Sequence, residues 1–412
     1  KNHEDILEQA DETDAVFGEL YSWYLRNPEY RSRVQKLVQS AFSGKPKDII
    51  SQSVAKALYG EVSPYSATRL ERFAACAFAH FLQYGMKLTE RVEYEFKPMD
   101  MGNVMHEALE SFAEEVRKRG MKWTELTEQE RNEIADRCLD NIVADYGNTV
   151  LKSSARNEYM IERTRRILRR TVWALQKQLE QGEFQPEGFE VTFGGGRIDR
   201  VDIMEDQNKV YVKVIDYKTG NTSFDLVYLY HGLQLQLMIY LDGALRVEQK
   251  KYPDKEIIPA GVFYYNIKDP MIQEKIDADV EAVSAGLMKE LKMNGLVQAD
   301  PELVYRMDSS LGSIPVAFNK DGSFRKNSSV ADRTQFAVLG RYVRTKIEKI
   351  RSSILEGDAE VSPYELGKKN ACTYCPYMTV CGFDRRLSGY EFRRLKNFSD
   401  EELWKAFDKE AE

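Results

Sequence analysis

No stretch of the 412 residues holds about 18 consecutive apolar side chains, the length a bilayer-spanning helix needs, so a helical membrane protein is excluded. The opening residues, KNHEDILEQADETD, are polar and acidic and lack the basic-then-apolar order of a secretory signal. A soluble, cytoplasmic protein is the expectation. Cysteine is sparse: five residues cannot build a secreted disulfide scaffold, and in a reducing compartment clustered cysteines point to metal. With 25 Gly and 12 Pro against 42% hydrophobic residues, the chain is neither collagen-like nor wholly disordered. It has no long linker and no repeat of about 20 to 50 residues. No GxxxxGK[ST] phosphate loop occurs, so the chain carries no visible ATP-driven motor. Basic residues do not dominate either. With 59 Lys+Arg against 66 Asp+Glu the net charge is -7, and any nucleic-acid binding must use a local basic surface.

What is present suits an enzyme. At roughly 150 residues per domain the length predicts two or three units. The chain opens at Lys1 rather than Met, and the expectation is a segment of a longer protein. Residues 1 to about 60 read as amphipathic helices, with Leu20, Tyr24 and Leu25 in one and Val34, Leu37, Val38 and Phe42 in the next. Residues 63 to 85 begin with turn and cap residues and continue with Leu70, Phe73, Ala77 and Phe81 on one helix face, with Cys76 among them. Three long helical patterns run from Met101 to about Gln181, the first striped by Met105, Leu109, Phe112 and Val116. The period then changes. FEVTFGGG, GRIDRVDIM and KVYVKVIDYK alternate or are β-branched and predict a meander of strands; 233 to 247 returns to helix, 257 to 266 is a further strand, and the rest reads as mostly helical.

The sharpest chemical signal lies in two consecutive strands. A four-residue turn at 205–208 predicts a hairpin in which Asp199 faces Val214 and Asp216 faces Arg197. With period-2 alternation, Val201, Ile203, Val210, Val212 and Val214 then share a face with Asp199, Asp216 and Lys218. Two carboxylates on a diagonal, about 7 to 8 Å apart or less, are near enough to reach one ion. Burying them is costly without a cation, and Mg²⁺ commonly takes one or two carboxylates with water and phosphate oxygens. Lys218 is placed to orient water or to neutralise charge developing on a phosphate. The plainer alternative is that Asp199, Arg200, Asp202 and Lys218 form surface salt bridges.

The order of four short motifs adds to this. GNVMH (102–106), GRIDR (196–200), DYKTG (216–220) and QLMIY (236–240) resemble the RecB-type nucleases of the PD-(D/E)xK superfamily, whose pattern is G-x-x-x-H, G-x-I-D-R, D-Y-K-[TS]-G and Q-x-x-x-Y. The resemblance implies an α/β fold, a restriction-endonuclease-like central mixed sheet flanked by helices. It also implies metal ligands at His106, Asp199, Asp216 and the Tyr217 carbonyl, catalysis by Lys218, and DNA or active-site support from Gln236 and Tyr240. Helix-face packing is the alternative for that last pair. Glu190 is a weaker acidic candidate. His80 and His231 read as packing or surface residues.

ACTYCPYMTVCGF places Cys372, Cys375 and Cys381 as C-x2-C-x5-C, a strong metal signal that lacks a fourth local ligand. Cys76 is a better fourth candidate than Cys138, which lies among charged residues. The spacing alone does not separate Zn²⁺ from a [4Fe-4S] cluster. SPYSATRLERFAACAFAHFLQYGMKLTER, the nuclease motifs and the cysteine run together resemble the nuclease regions of AddB-type subunits of bacterial helicase-nucleases. That family joins a lone distant cysteine, matched by Cys76, to three C-terminal ones around a [4Fe-4S] cluster. By the chain-entropy model for cross-links, closing a loop of about 300 residues contributes roughly 5 to 6 kcal/mol, so the cluster is expected to act as a C-terminal staple.

On this reading, residues 1–62 are a helical N-terminal segment and 63–412 a nuclease domain. Within it lie a helical insertion at about 107–185 and a cysteine-bearing segment at about 360–412. The implied function is Mg²⁺-dependent (or Mn²⁺-dependent) exonucleolytic cleavage of DNA, at double-stranded ends and on single strands, in recombinational repair. The implied partner is an AddA-type helicase-nuclease subunit in a heterodimer. Two rivals are an iron-sulfur-stapled DNA-binding or assembly module without catalysis, and a stand-alone iron-sulfur exonuclease of CRISPR-associated type. Arginines 163, 165, 166, 169 and 170, and the basic residues 385, 386, 393, 394 and 396, are candidate phosphate contacts or, equally, solvated faces paired with acids.

Overall fold

A computed structural model describes residues 3–42, 49–60, 66–89, 98–145, 154–194, 196–272, 279–387 and 389–411. The expected boundary at 62/63 and the turn residues Ser63 to Tyr65 lie outside them. None of the described helices is long and apolar enough to cross a membrane. The amino-terminal part is helical as the periodicity predicts: α1 (His3–Arg26), α2 (Pro28–Phe42) and α3 (Gln52–Tyr59). The stretch expected as one helix around Cys76 is broken there. α4 (Ala67–Ala75), capped by Ser66, ends at Cys76 in an extended conformation, and α5 (Ala77–His80) continues into a π-helical turn at Phe81–Gly85. An extended residue between two helices turns its side chain out of the helical stripe, which periodicity alone cannot foresee.

α6 (Pro98–Lys118), α7 (Glu128–Asp145) and α8 (Ala155–Glu180) account for the three long helical patterns. The strands β1 (Gln185–Phe193), β2 (Gly196–Asp206) and β3 (Lys209–Lys218) form the predicted antiparallel meander. α9 (Leu226–Tyr230) and α10 (Gln236–Lys251) then carry the chain to β4 (Glu256–Asn266), which pairs with β3 in parallel. Past residue 266 the structure is less helical than expected. α11 (Val280–Glu290) leads to β5 (Asn294–Gln298), and α12 (Pro301–Met307) to β6 (Val330–Ala331), completing a mixed sheet in the order β1-β2-β3-β4-β5-β6. After α13 (Arg333–Glu356), a second sheet forms from β7 (Tyr364–Leu366), β8 (Lys369–Asn370) and β9 (Arg393–Arg394), between which lies α14 (Met378–Cys381); α15 (Asp400–Ala411) follows. Strands of two to five residues leave no period-2 signal to read. Gly295 in β5 shows how tertiary contact decides there, since a Cβ on it would lie 1.9 Å from the Val262 carbonyl oxygen.

The hairpin between β2 and β3 corrects the expected register. It closes through Gln207 and Asn208 alone, with Asp206 opposite Lys209 and Val201 opposite Val214. Continued outward from Arg200 and Ile215, this register sets Asp199 directly across from Asp216 rather than on a diagonal. The pairing is shifted by two residues, an even number, so the predicted face survives intact. Val201, Ile203, Val210, Val212 and Val214 pack under α4, α10, α13 and α15, while α6, α7 and α8 cover the opposite face.

That opposite face holds a buried ion cluster, not a surface salt bridge. Arg200 donates from Nε to Asp202 Oδ1 at 2.6 Å and from Nη2 to Oδ2 at 2.9 Å, and Lys213, paired across the strands with Asp202, lies 2.9 Å from Oδ2. The guanidinium sits between the Trp123 and Phe189 rings. Burial disfavours ionised Asp202, but Arg200 and Lys213 outweigh it and hold the carboxyl below its usual range. Removing one partner of such a set leaves uncompensated charge. Asp202→Ala is expected to lower the free energy of unfolding by about 3 to 5 kcal/mol in chemical denaturation, and a loss under about 1 kcal/mol would contradict this burial account.

Candidate active site

The carboxylates gather where β2 and β3 end between the two helical layers. α6 brings His106 from one layer, with Gly102 one turn earlier against the strand-end loop, where a Cβ would lie 3.5 Å from Thr219 Oγ1. The other layer supplies the start of α10, with Gln236 and Tyr240 one turn apart. The four sequence motifs therefore meet at one place. Asp199 Oδ2 lies 3.4 Å from His106 Nδ1 and accepts the Tyr217 backbone N–H at 2.7 Å. Lys218 Nζ lies 2.5 Å from Asp216 Oδ2 and donates to Gln236 Oε1 at 2.8 Å, while Gln236 Nε2 donates to the Tyr240 hydroxyl at 2.9 Å. The Lys218 ammonium also sits 5.5 Å from the Tyr264 ring centre.

Glu190 is more central than its sequence signal. It sits in β1 with φ +49°, the left-handed region that a non-glycine residue adopts only under constraint. One of its oxygens is 3.7 Å from His106 Nδ1 and the other is ion-paired with Arg197. One donor atom each from His106, Glu190 and Asp199 lies within 4.8 Å of the others, a set fit for one hard cation. Asp216 stands beside this trio, engaged by Lys218. Its carboxyl is pushed up to about 7, first by burial and then by the Asp199 charge. Burial opposes a charged His106, yet its hydrogen bonds to Asp199 and Glu190 outweigh this and hold the imidazolium up to about 10.

Glu71, on α4, was not visible as a site residue. Its Oε1 accepts the backbone N–H groups of Leu235 at 2.7 Å and Gln236 at 3.0 Å, at the start of α10. Burial raises its carboxyl to about 7 against the pull of those two bonds. It belongs to no motif, and only the packing of α4 against α10 reveals it.

The structure also brings Cys76, Cys372, Cys375 and Cys381 together on one cavity, while Cys138 is buried on α7 and makes a side-chain hydrogen bond to Ser111. Burial, and then the other three thiols, push Cys372 up to about 12. The walls are mainly apolar, with Ala79, Val361 and Phe383 among them, and the Phe383 N–H reaches Cys381 Sγ at 3.3 Å. Four sulfur donors with little polar support fit a soft metal centre.

Other candidates divide. His80 is buried and accepts from Arg69 Nε at 3.2 Å; His231 Nε2 lies 2.8 Å from the Lys396 carbonyl. In the C-terminal basic run, Arg386 pairs with Asp384, Arg394 with Glu365 and Lys396 with Glu402, and Arg393 donates to the Ala74 carbonyl. Arg385 lies over the Phe392 ring. The run largely serves the fold.

A sequence model of the PD-(D/E)XK nuclease superfamily matches residues 64–382. The chain is 41% identical over 425 aligned positions to the AddB-type subunit of the ATP-dependent helicase/deoxyribonuclease of Lachnoclostridium phytofermentans, covering 97% of this chain and 36% of that protein. The proteins of the same name from Thermoanaerobacter sp. and Clostridium acetobutylicum are 34% and 33% identical over 97% of this chain, and 37% and 36% of their own lengths are covered. The chain thus spans little more than a third of these relatives.

Proposed function

The chain belongs to the PD-(D/E)XK nuclease superfamily, and from that premise we propose that it is a Mg²⁺- or Mn²⁺-dependent deoxyribonuclease, the exonuclease part of a helicase-nuclease subunit that processes double-stranded DNA ends for recombinational repair in the cytoplasm. The reading is carried by one observation: His106, Glu190, Asp199, Asp216 and Lys218 converge at a single sheet end. The metal ligands are His106, Asp199, Asp216 and the Tyr217 carbonyl, with Glu190 added by its position beside His106. When bound, such a cation polarises a phosphate oxygen and lowers the pKa of a coordinated water.

The chain's own residues do the rest. Lys218, held between Asp216 and Gln236, presents a cation where the phosphate gains negative charge and a donor that can orient the attacking water. Gln236 fixes the ammonium through Oε1, and Tyr240 fixes Gln236 through its hydroxyl. Glu71 pins the first turn of α10, so that this relay cannot slide along the strand end. The four cysteines hold a [4Fe-4S] cluster that joins the C-terminal segment to the end of α4. The remainder of the relatives' length and an AddA-type partner supply DNA unwinding.

Asp216→Ala and Lys218→Ala are each expected to reduce metal-dependent cleavage of linear or single-stranded DNA by at least about a hundredfold, with the fold retained. Undiminished cleavage by both variants contradicts the assignment. For the cysteine site, the intact chain purified without oxygen is expected to be brown and to carry about four irons. Stoichiometric zinc with no iron contradicts the cluster.

A further inference from the structure

The arginines of α8 sort into two faces. Arg165 and Arg169 face α7, where Arg165 lies 2.7 Å from Asp140 and Arg169 pairs with Asp136. On the other face Tyr159, Arg163, Arg166, Arg170 and Trp173 follow at steps of four, three, four and three, one continuous stripe along the helix. At a rise of about 1.5 Å per residue the stripe is about 21 Å long, and its three guanidinium groups follow one another about a helical turn apart. Arg163 and Arg170 have no acidic partner among the described residues, and Arg170 lies 5.5 Å from the Trp173 ring centre. Tyr159 is 65% exposed. The stripe forms one wall of a groove whose other wall is α11, with Val283 facing it.

A file of cations flanked by aromatic rings and faced by an apolar wall suits a linear polyanion that also carries flat apolar groups. Single-stranded DNA has both, whereas a duplex keeps its bases stacked inside. The groove is also tied to the cleavage end of the sheet. Arg166 is anchored 2.6 Å from Asp269, three residues beyond β4. The last residue of β4, Asn266, pairs with Lys218, and the next amide, Ile267 N–H, donates to the Lys218 carbonyl at 2.7 Å. We propose that the Tyr159-to-Trp173 stripe is a second DNA site, a track that holds the single strand being cut. The proposal rests on the nuclease reading and adds to it a place for the strand outside the cleavage centre.

Binding measured apart from cleavage tests it. Anisotropy of a labelled oligothymidylate is titrated with the intact chain in EDTA, across a series of salt concentrations. Arg163→Glu with Arg170→Glu is expected to weaken binding at least about tenfold and to make the salt slope shallower by about 1.4, at about 0.7 per lost phosphate contact on a single strand. Tyr159→Ala is expected to weaken binding about fivefold or more with the slope unchanged, the mark of stacking rather than charge. Unchanged affinity and slope in the double variant overturn the track while metal-dependent cleavage by the parent chain still upholds the nuclease reading. Displacement of the oligonucleotide by polyglutamate more strongly than by unlabelled oligothymidylate also overturns it, in favour of an acidic protein segment. Absence of cleavage by the parent chain instead removes the reading on which the proposal stands.

Discussion

Three carboxylates, those of Glu190, Asp199 and Asp216, are drawn together in a largely buried corner, and their mutual repulsion is the constraint around which the rest is arranged. Like charges at such range persist only when positive charge or hydrogen bonds answer them. His106 answers on one side, held as an imidazolium, and Lys218 on the other. Each has to arrive from a different part of the chain. The even-numbered register of the hairpin keeps Asp199 and Asp216 on one face, the helical layers on both sides of the sheet bring in His106 and Gln236, and a left-handed backbone at Glu190 turns a third acid inward.

Two buried charge clusters in the same sheet make a useful contrast. Arg200, Asp202 and Lys213 form a closed set, with the carboxylate answered by two cations and enclosed by aromatic rings. Such a set specifies register and holds strands together but has no capacity for a ligand. At the strand ends the balance is incomplete, with an Asp216 carboxyl pushed toward neutrality and an imidazole forced toward charge. The thiols around Cys372 are similarly under-supported. Perturbed groups with a specific charge partner in an accessible corner are where chemistry is expected. On the proposed function, the closed cluster is scaffold and the two open ones are sites.

Much of this was legible in the sequence for a physical reason: long elements repeat their signal. α6, α8 and the β2–β3 hairpin each carry enough periods to fix a face, and the motif residues fall at the ends of those faces. What escaped was set by single contacts. The two-residue turn at Gln207 and Asn208, the break at Cys76, the short strands β5 to β9 and the capping of α10 by Glu71 each depend on a partner distant in the chain. Glu190 shows the limit most plainly. An acid in an alternating strand looks like an ordinary outward residue, and only its backbone conformation directs it to His106. The α8 arginines, alike in sequence, separate into paired and unpaired faces only when α7 is seen beside them.

The most direct test of the central claim is the proton count when Mn²⁺ binds, from calorimetry of the intact chain in buffers of different ionisation enthalpy. A cation that replaces the positive charge now held by His106 must expel its proton, because ligands bind deprotonated. At pH 8, below the imidazolium value of about 10 and above the Asp216 value of about 7, the account predicts release of about one proton per ion. At pH 6 Asp216 is protonated too, so release rises toward about two and affinity falls. Binding whose heat is independent of buffer at both pH values would contradict the account.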